Sequence, residues 1–342
     1  MKDETVRILF LADTHLGFDS TLNPRIKRRR RSEDFYKNFM LALKPAYEKK
    51  IDIVLHGGDL FYRSKIPDTL IDEVFEPIME ITKSGIPFLI VPGNHERSFI
   101  PRSLFHTHDN LLIFDEPKTF TFQIKNISIA LAGFPFHREN IKETFHELVK
   151  RTRINEMKKE YNFLCIHHAV EGAVVGIQNY MFKSGKDVIA SSSILPIFNA
   201  ALSGHIHRSQ IIRKGLDDKP LQVPIVYPGS IERTSFVERE EKKGYYIIEI
   251  NSRQPVKFIF NELPERPMHL LEIDTSEISD EQVNNIIYAQ VKNLEKDSII
   301  RIRLSDSDKD RNYKNITAEY LRSLVPETIN ISLSIRGRYP SA

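Results

Sequence analysis

Short apolar runs alternate along this chain with longer segments whose apolar residues recur about once per helical turn, and that alternation predicts its elements. Residues 6–12, Val-Arg-Ile-Leu-Phe-Leu-Ala, are mostly apolar and β-compatible, as suits a central strand covered on both faces. From Ser32 to Lys50 the apolar side chains fall at Phe35, Phe39, Leu43 and Tyr47, with Ser32 placed to cap a helix and acids in its first turn. Ile51–Leu55 then reads as a second strand, Asp68–Lys83 as a second helix and Ile86–Val91 as a third strand, an order that implies a parallel sheet. Beyond Asn110 the texture shifts to short strands at 111–114, 120–124 and 127–132, and a helix spans about 140–158. Strands at 163–166, 200–202, 211–213, 223–226, 245–250 and 256–260 follow. The pattern predicts two sheets packed face to face with helices outside.

Leu263-Pro264-Glu265-Arg266-Pro267 places two prolines in a polar setting and marks a boundary. Residues 1–264 are expected to form the large domain. Residues 265–342 form a small α+β unit with strands at 270–273, 299–304 and 329–335 and helices at 280–293 and 318–324.

Five of the apolar runs stop at side chains that can bind a metal. They lead into Asp13-Thr14-His15, Gly58-Asp59, Gly93-Asn94-His95-Glu96, His167-His168 and Gly204-His205-Ile206-His207. In parallel sheets ligands gather beyond the carboxyl ends of the strands, so these five segments are expected to make one site. Alone, an Asp-x-His or Gly-Asp is a common turn; five in succession at strand ends are not. Asp13, His15, Asp59, Asn94, His167, His205 and His207 are too many ligands for one ion and suit two ions sharing a carboxylate. Oxygen and imidazole donors without thiolate fit Mn, Fe or Zn and not Ca.

The 342 residues carry one cysteine, Cys165, in an apolar run where a buried thiol is expected. No run of about 18 apolar residues occurs and the N-terminus goes straight into a strand, so neither a membrane span nor a signal peptide is expected and a cytoplasmic location is. A net charge of +3 excludes little. It is unevenly spread, because residues 265–342 are slightly acidic while Arg25-Ile26-Lys27-Arg28-Arg29-Arg30-Arg31 concentrates bases in the first part. A charge run of this kind is ordinarily a solvated loop. Here it lies between the Asp13/His15 strand end and the next helix, where Arg28, Arg29, Arg30 and Arg31 could grip DNA phosphates. Tyr180, Phe182 and Lys183 read first as loop packing, with base stacking as the alternative. His56, His106, His108, His137, His146 and His269 read as surface or packing histidines, with His56 close enough to Gly58 to support the site.

Taken in order, Asp13-x-His15, Gly58-Asp59, Gly93-Asn94-His95-Glu96, His167 and Gly204-His205-x-His207 resemble the calcineurin-like metallophosphoesterases. Arg30 to Phe35 leading into Gly58-Asp59-Leu60-Phe61, and Tyr227-Pro228-Gly229-Ser230-Ile231-Glu232-Arg233, narrow the likeness to the SbcD-type nucleases of double-strand-break repair. The likeness covers about the first 265 residues, and Glu96 stands where that family usually has aspartate. The resemblance implies an α/β fold, a two-sheet metallophosphoesterase sandwich flanked by helices, with residues 265–342 as a capping domain. It implies that Asp13, His15, Asp59 and His207 hold one divalent ion, most simply manganese, and that Asn94, His167, His205 and the bridging Asp59 hold a second. His167 is favoured over its neighbour His168. His95 follows a ligand directly, so it can face substrate, and by family likeness it would neutralise the transition state or protonate the leaving group.

The function so implied is metal-dependent DNA hydrolysis by exonuclease or endonuclease action, with a homodimer and an SbcC-type SMC-like ATPase as partners. After Ile335 no long amphipathic helix pair of the kind used to bind that ATPase follows. An absent partner, a shortened chain or another docking surface each accounts for this. The rival functions are a phosphodiesterase for small substrates such as cyclic nucleotides and a non-catalytic scaffold that kept the fold.

Overall fold

The first apolar run forms β1 (Val6–Leu11), which is buried almost throughout because layers pack on both its faces, and both its edges are paired. On one side lies β2 (Ile53–His56) in parallel, and on the other the strand Gly244–Asn251, antiparallel. β3 (Phe88–Ile90) and β4 (Leu111–Ile113) extend the parallel side, and Gln254–Glu262 closes the opposite edge of this six-stranded sheet. β5 (Lys118–Ile124), β6 (Ile127–Gly133) and β7 (Tyr161–Ile166) found a second six-stranded sheet, continued by Ala200–Ser203, Pro220–Tyr227 and Gln210–Lys214. The computed structural model describes residues 5–20, 27–96, 108–305, 311, 313 and 315–335. Arg25, Ile26 and His106, singled out in the sequence, lie outside the described residues.

Alternation along the strands builds three layers of core. Ile8 and Phe10 of β1, with Ile53, Leu55 and Leu89, meet Ile129, Leu131, Phe163, Cys165 and Leu202 of the second sheet. Leu9 and Leu11 point the other way. There they pack with Phe35, Phe39 and Leu43 of α1 (Arg31–Tyr47) and Val74 and Ile78 of α2 (Asp68–Lys83). On the outer face of the second sheet, Ala130, Leu164 and Ile166 pack against Phe145 and Leu148 of α3 (Ile141–Arg151). Burial of each such side chain stabilises by about 1.5–3 kcal/mol. The mixed α/β, two-sheet architecture is the one the sequence predicts.

Two details differ from expectation. α1 begins at Arg31, so Ser32 lies inside the helix and not at its cap. The helix expected over 140–158 stops at Arg151. Thr152 Oγ1 donates to Val149 O at 2.6 Å, Arg153 takes a left-handed backbone (φ 59°), and a separate turn, Ile154–Met157, follows. A side chain that bonds its own helix carbonyl competes with the regular ladder.

The chain divides into two units, Met1–Phe18 with Asp34–Arg233 and Glu240–Pro264, and Asp19–Glu33 with Thr234–Arg239 and Glu265–Ala342. The smaller holds a three-stranded parallel sheet of Met268–Asp274, Ile299–Ser305 and Asn330–Ile335. Its helix Asp280–Val291 starts at a reciprocal cap between Ser279 and Gln282. Buried Arg266 joins the strand ends by donating to Asn330 Oδ1 at 2.8 Å and Thr328 O at 2.7 Å.

Candidate metal centre

The site begins where β1 and β2 run out. Past Leu11 and His56 the two loops stay zipped by backbone bonds, Asp13 N–H to Gly58 O (2.9 Å), His15 N–H to Asp59 O (3.0 Å) and Leu16 N–H to Leu60 O (2.9 Å). Holding loops this close while aiming side chains at one point requires left-handed backbone at Asp13 (φ 51°), His15 (43°), Asp59 (53°) and His205 (80°). Non-glycine residues seldom adopt that conformation, and clusters of them mark places where packing overrides local preference. Gly58 sits at φ 107°, and a Cβ there would collide with the His167 ring.

Both sheets contribute. From the first come Asp13, His15, Asp59, Asn94 and His95; from the second come His167 beyond β7 and His205 and His207 beyond Ala200–Ser203. Their polar atoms converge. His15 Nε2 lies 3.0 Å from His207 Nε2, and Asn94 Oδ1 faces His167 Nε2 at 3.0 Å and His205 Nδ1 at 2.9 Å. Asp59 Oδ2 is 3.3 Å from His167 Nε2, 3.8 Å from His95 Nε2 and 4.0 Å from His15 Nε2, while Asp13 Oδ1 is 3.9 Å from His207 Nε2. Among the described residues, three overlapping groups could each hold a metal ion: Asp13, His15 and His207; His15, Asp59 and His95; Asp13, Asp59 and His167. The structure brings all seven candidate ligands and His95 together.

The donor set fits cations. Two imidazole nitrogens facing each other at 3.0 Å can share at most one proton, and Asn94 Oδ1 presents only lone pairs to its two rings. Burial holds His15 well below the usual histidine range and His205 down at about 3, so both are neutral and keep lone pairs. For His167 burial opposes the charge, but the Asp59 carboxylate outweighs it, with Asp13 assisting, and lifts the ring to about 9. Asp59 answers in kind: burial works to raise it, yet His167 holds it well below the usual carboxylate range. Burial raises Asp13. The carboxylates and lone pairs gathered here thus favour positive charge, on the His167 ring or on a cation that these residues could hold.

Surrounding groups fix the ligands. His167 Nδ1 lies 2.8 Å from Gly57 O, which turns Nε2 inward. The neighbouring His168 points elsewhere, pairing with the backbone N–H of His137 at 3.0 Å and stacking on Phe136 with centroids 4.9 Å apart. His205 N–H donates to Asp13, and His95 N–H to Asp59 Oδ1 at 2.9 Å. The His207 carbonyl takes Ser230 N–H at 3.0 Å and the buried Lys243 ammonium at 2.9 Å, so the Tyr227–Arg233 stretch braces that loop. Tyr227 itself is buried, its hydroxyl bridging Val170 N–H and His168 O. His56 Nε2 meets Thr14 Oγ1 at 3.0 Å.

His95 is half-buried, its Nδ1 2.6 Å from Tyr62 O. With Asn94, Tyr62, Arg63, Ser64, Lys65 and Arg138 it lines an open cleft of about 600 Å³. Sequence reading missed Tyr62, Arg63, Lys65, Arg138 and Lys243; only the nearness of the first three to Asp59 could have drawn attention to them. The arginine run lies in the smaller unit. Arg28 donates to Asp19 at 3.0 Å, Arg30 approaches the same carboxylate at 3.6 Å, Arg29 meets Asp297 at 3.5 Å, and the Arg31 backbone N–H bonds Asp19 at 3.2 Å with its side chain buried. Tyr180 is exposed and meets Phe182 edge-on, in a turn held by Arg208 through Gly176 O and Asn179.

The chain is 26% identical over 307 residues to the protein named DNA double-strand break repair protein Mre11 of Archaeoglobus fulgidus, covering 85% of this chain and 64% of that one. It is 25% identical to the protein of the same name from Saccharolobus solfataricus, covering 91% and 74%. To a Staphylococcus epidermidis protein named as the D component of the nuclease SbcCD it is 22% identical, covering 88% and 79%. Against the Archaeoglobus protein, therefore, it spans just under two thirds of the relative's length. Residues 6–209, which carry every candidate ligand, match the family described as calcineurin-like phosphoesterase, and the chain belongs to that family.

Proposed function

We propose that the chain is a two-metal DNA nuclease of double-strand-break repair, hydrolysing phosphodiesters. The observation that carries this reading is the convergence of seven oxygen and imidazole ligands, Asp59 among them, at one place reached from both sheets. In it, Asp13, His15, Asp59 and His207 hold one ion, and Asn94, His167, His205 and the shared Asp59 hold the other. Manganese is the ion proposed, from the family resemblance; the donor set without thiolate fits Mn, Fe or Zn alike. Bound there, the pair would supply a water of lowered pKa and positive charge for the phosphoryl oxygens.

The remaining work falls to side chains. His95 is the proposed catalytic residue. Donation from Nδ1 to the Tyr62 carbonyl fixes its ring and leaves Nε2 for the substrate in the cleft. As water attacks phosphorus and the bond to the leaving oxygen breaks, a proton on Nε2 passes to that oxygen. Asn94 and Asp59 hold the His95 loop in place through chain continuity and the His95 N–H bond.

The names of the relatives support DNA as substrate. Residues 1–264 are assigned hydrolysis and 265–342 the handling of DNA. DNA contact by Arg28, Arg29, Arg30 and Arg31 is part of the proposal, on the concentration of arginine in this run and the match of a guanidinium to a phosphate. A second copy of the chain and an SbcC-type ATPase are the proposed partners, and the cytoplasm the proposed location. Among the described residues no helix is long and apolar enough to cross a membrane.

The test is an assay of purified protein with manganese on linear duplex DNA, single-stranded DNA, cyclic nucleotides and bis(p-nitrophenyl) phosphate, beside Asp59→Asn. Cleavage of DNA that Asp59→Asn abolishes supports the reading. Turnover of cyclic nucleotides with DNA left intact replaces it by the small-substrate phosphodiesterase.

A further inference from the structure

Resting on that reading, we propose that Arg63, Lys65 and Arg138 form a phosphate-binding rim that holds the nucleotides flanking the scissile phosphodiester, so that the site takes a polynucleotide strand in preference to a lone nucleotide. The three side chains line the same open cleft as Asn94 and His95. They arrive from different sheets. Arg63 and Lys65 lie in the loop between β2 and α2, a product of the first sheet, and Arg138 in the loop between β6 and α3, a product of the second. Positive charge is therefore brought to the cleft by both sheets, where a strand of phosphates could meet it.

Their state sets them apart from the arginines of the 28–31 run. All three are exposed, and none has a carboxylate partner among the described residues; Arg63 has only the face of Tyr62, 5.9 Å from its centroid. The arginines of the 28–31 run stand against Asp19 and Asp297. Like charges gathered without counter-ions repel, and an arriving phosphate relieves that repulsion.

Both loops are also anchored to the metal centre. Tyr62 N–H bonds Leu16 O at 3.0 Å, and the Tyr62 carbonyl takes His95 Nδ1. In the loop that carries Arg138, Phe136 N–H bonds Pro92 O at 2.8 Å and His137 N–H bonds His168 Nε2 at 3.0 Å. The backbone beside each rim residue is thus anchored to the loops that carry the candidate ligands, and cations spaced along the cleft attract a chain of phosphates more than a single one. Each phosphate contact on a single strand contributes about 0.7 to the dependence of log affinity on log salt, so three contribute about 2.

The experiment measures kcat/KM of the full chain with manganese on oligodeoxynucleotides from dinucleotide to dodecamer and on bis(p-nitrophenyl) phosphate, at several salt concentrations. The triple variant Arg63→Ser, Lys65→Ser, Arg138→Ser is expected to lose at least tenfold more on the dodecamer than on bis(p-nitrophenyl) phosphate, and to flatten the salt slope by about 2. Arg63→Lys with Arg138→Lys keeps the charge and should restore most of the loss, while Lys150→Ser with Arg151→Ser, on the last turn of α3, should not reproduce it. Equal loss on all substrates, or unchanged length and salt dependence in a protein whose wild type cleaves the dodecamer, overturns the rim. A wild type that cleaves bis(p-nitrophenyl) phosphate but no oligonucleotide overturns the nuclease reading itself, and the rim with it.

Discussion

Glu96 Oε1 accepts the backbone N–H of Phe61 at 2.8 Å, and its other oxygen accepts Gly93 N–H at 2.7 Å. One buried carboxylate thereby ties the loop carrying Asp59 to the loop carrying Asn94 and His95. Replacing it by glutamine sets an amide N–H₂ against one of the two N–H groups and leaves a buried donor unpaired, which costs about 1–3 kcal/mol. Glu96→Gln should lower the melting temperature and weaken metal binding together. A metal titration by calorimetry that matches wild type would show that the tie does not set ligand geometry.

His95 offers a sharper test of chemistry against binding. Its ring is outside the Asn94 contact set yet lines the cleft. His95→Ala should retain its metal content by elemental analysis while kcat falls about 100-fold or more, the usual range for losing an acid–base group. Full activity in the alanine variant would remove His95 from the mechanism.

Metal binding should release a proton. At pH 7.5 the metal-free His167, lifted to about 9, is charged, whereas a ligand nitrogen must be bare. Calorimetry in buffers of different ionisation enthalpy should therefore report release of about one proton per chain, diminishing as the pH approaches 9. The same shift has a sign for stability. The folded value lies above the ordinary 6.5, so the contribution to the metal-free fold is complete below pH 6.5 and lost as pH rises through 9. Metal uptake without proton release would contradict the assigned state of His167.

Gly93 has no room for a side chain, since a Cβ would clash with Asp59 Oδ1 and the Asp59 backbone N. Gly93→Ala must displace the residue that both proposed ions share. The expected result is a destabilisation of about 1–3 kcal/mol in a denaturant melt and a loss of metal binding. Retained metal affinity in a destabilised protein would place the strain elsewhere.

Local elements, and the chemistry at their ends, are legible from the residues alone. β1 is readable as a short, nearly unbroken apolar run and α1 because its apolar side chains recur once per turn, and each candidate ligand is conspicuous because an apolar run stops there. Those signals are short-range, and so are the errors in them: α1 starts at Arg31, ahead of Ser32, and the Thr152–Arg153 break depends on which local hydrogen bond wins. Which strands are neighbours, and with that which residues meet, is settled by the packing of the whole chain. Nothing within a few residues of His167 and His168 says that Gly57 O holds one ring towards Asp59 while the backbone of His137 holds the other away. Nor does local pattern bring Arg138 to the cleft of Arg63 and Lys65, or Lys243 to the carbonyl of His207. Such contacts join segments far apart in the chain, and their partners are set by sheet pairing and burial over the whole larger unit.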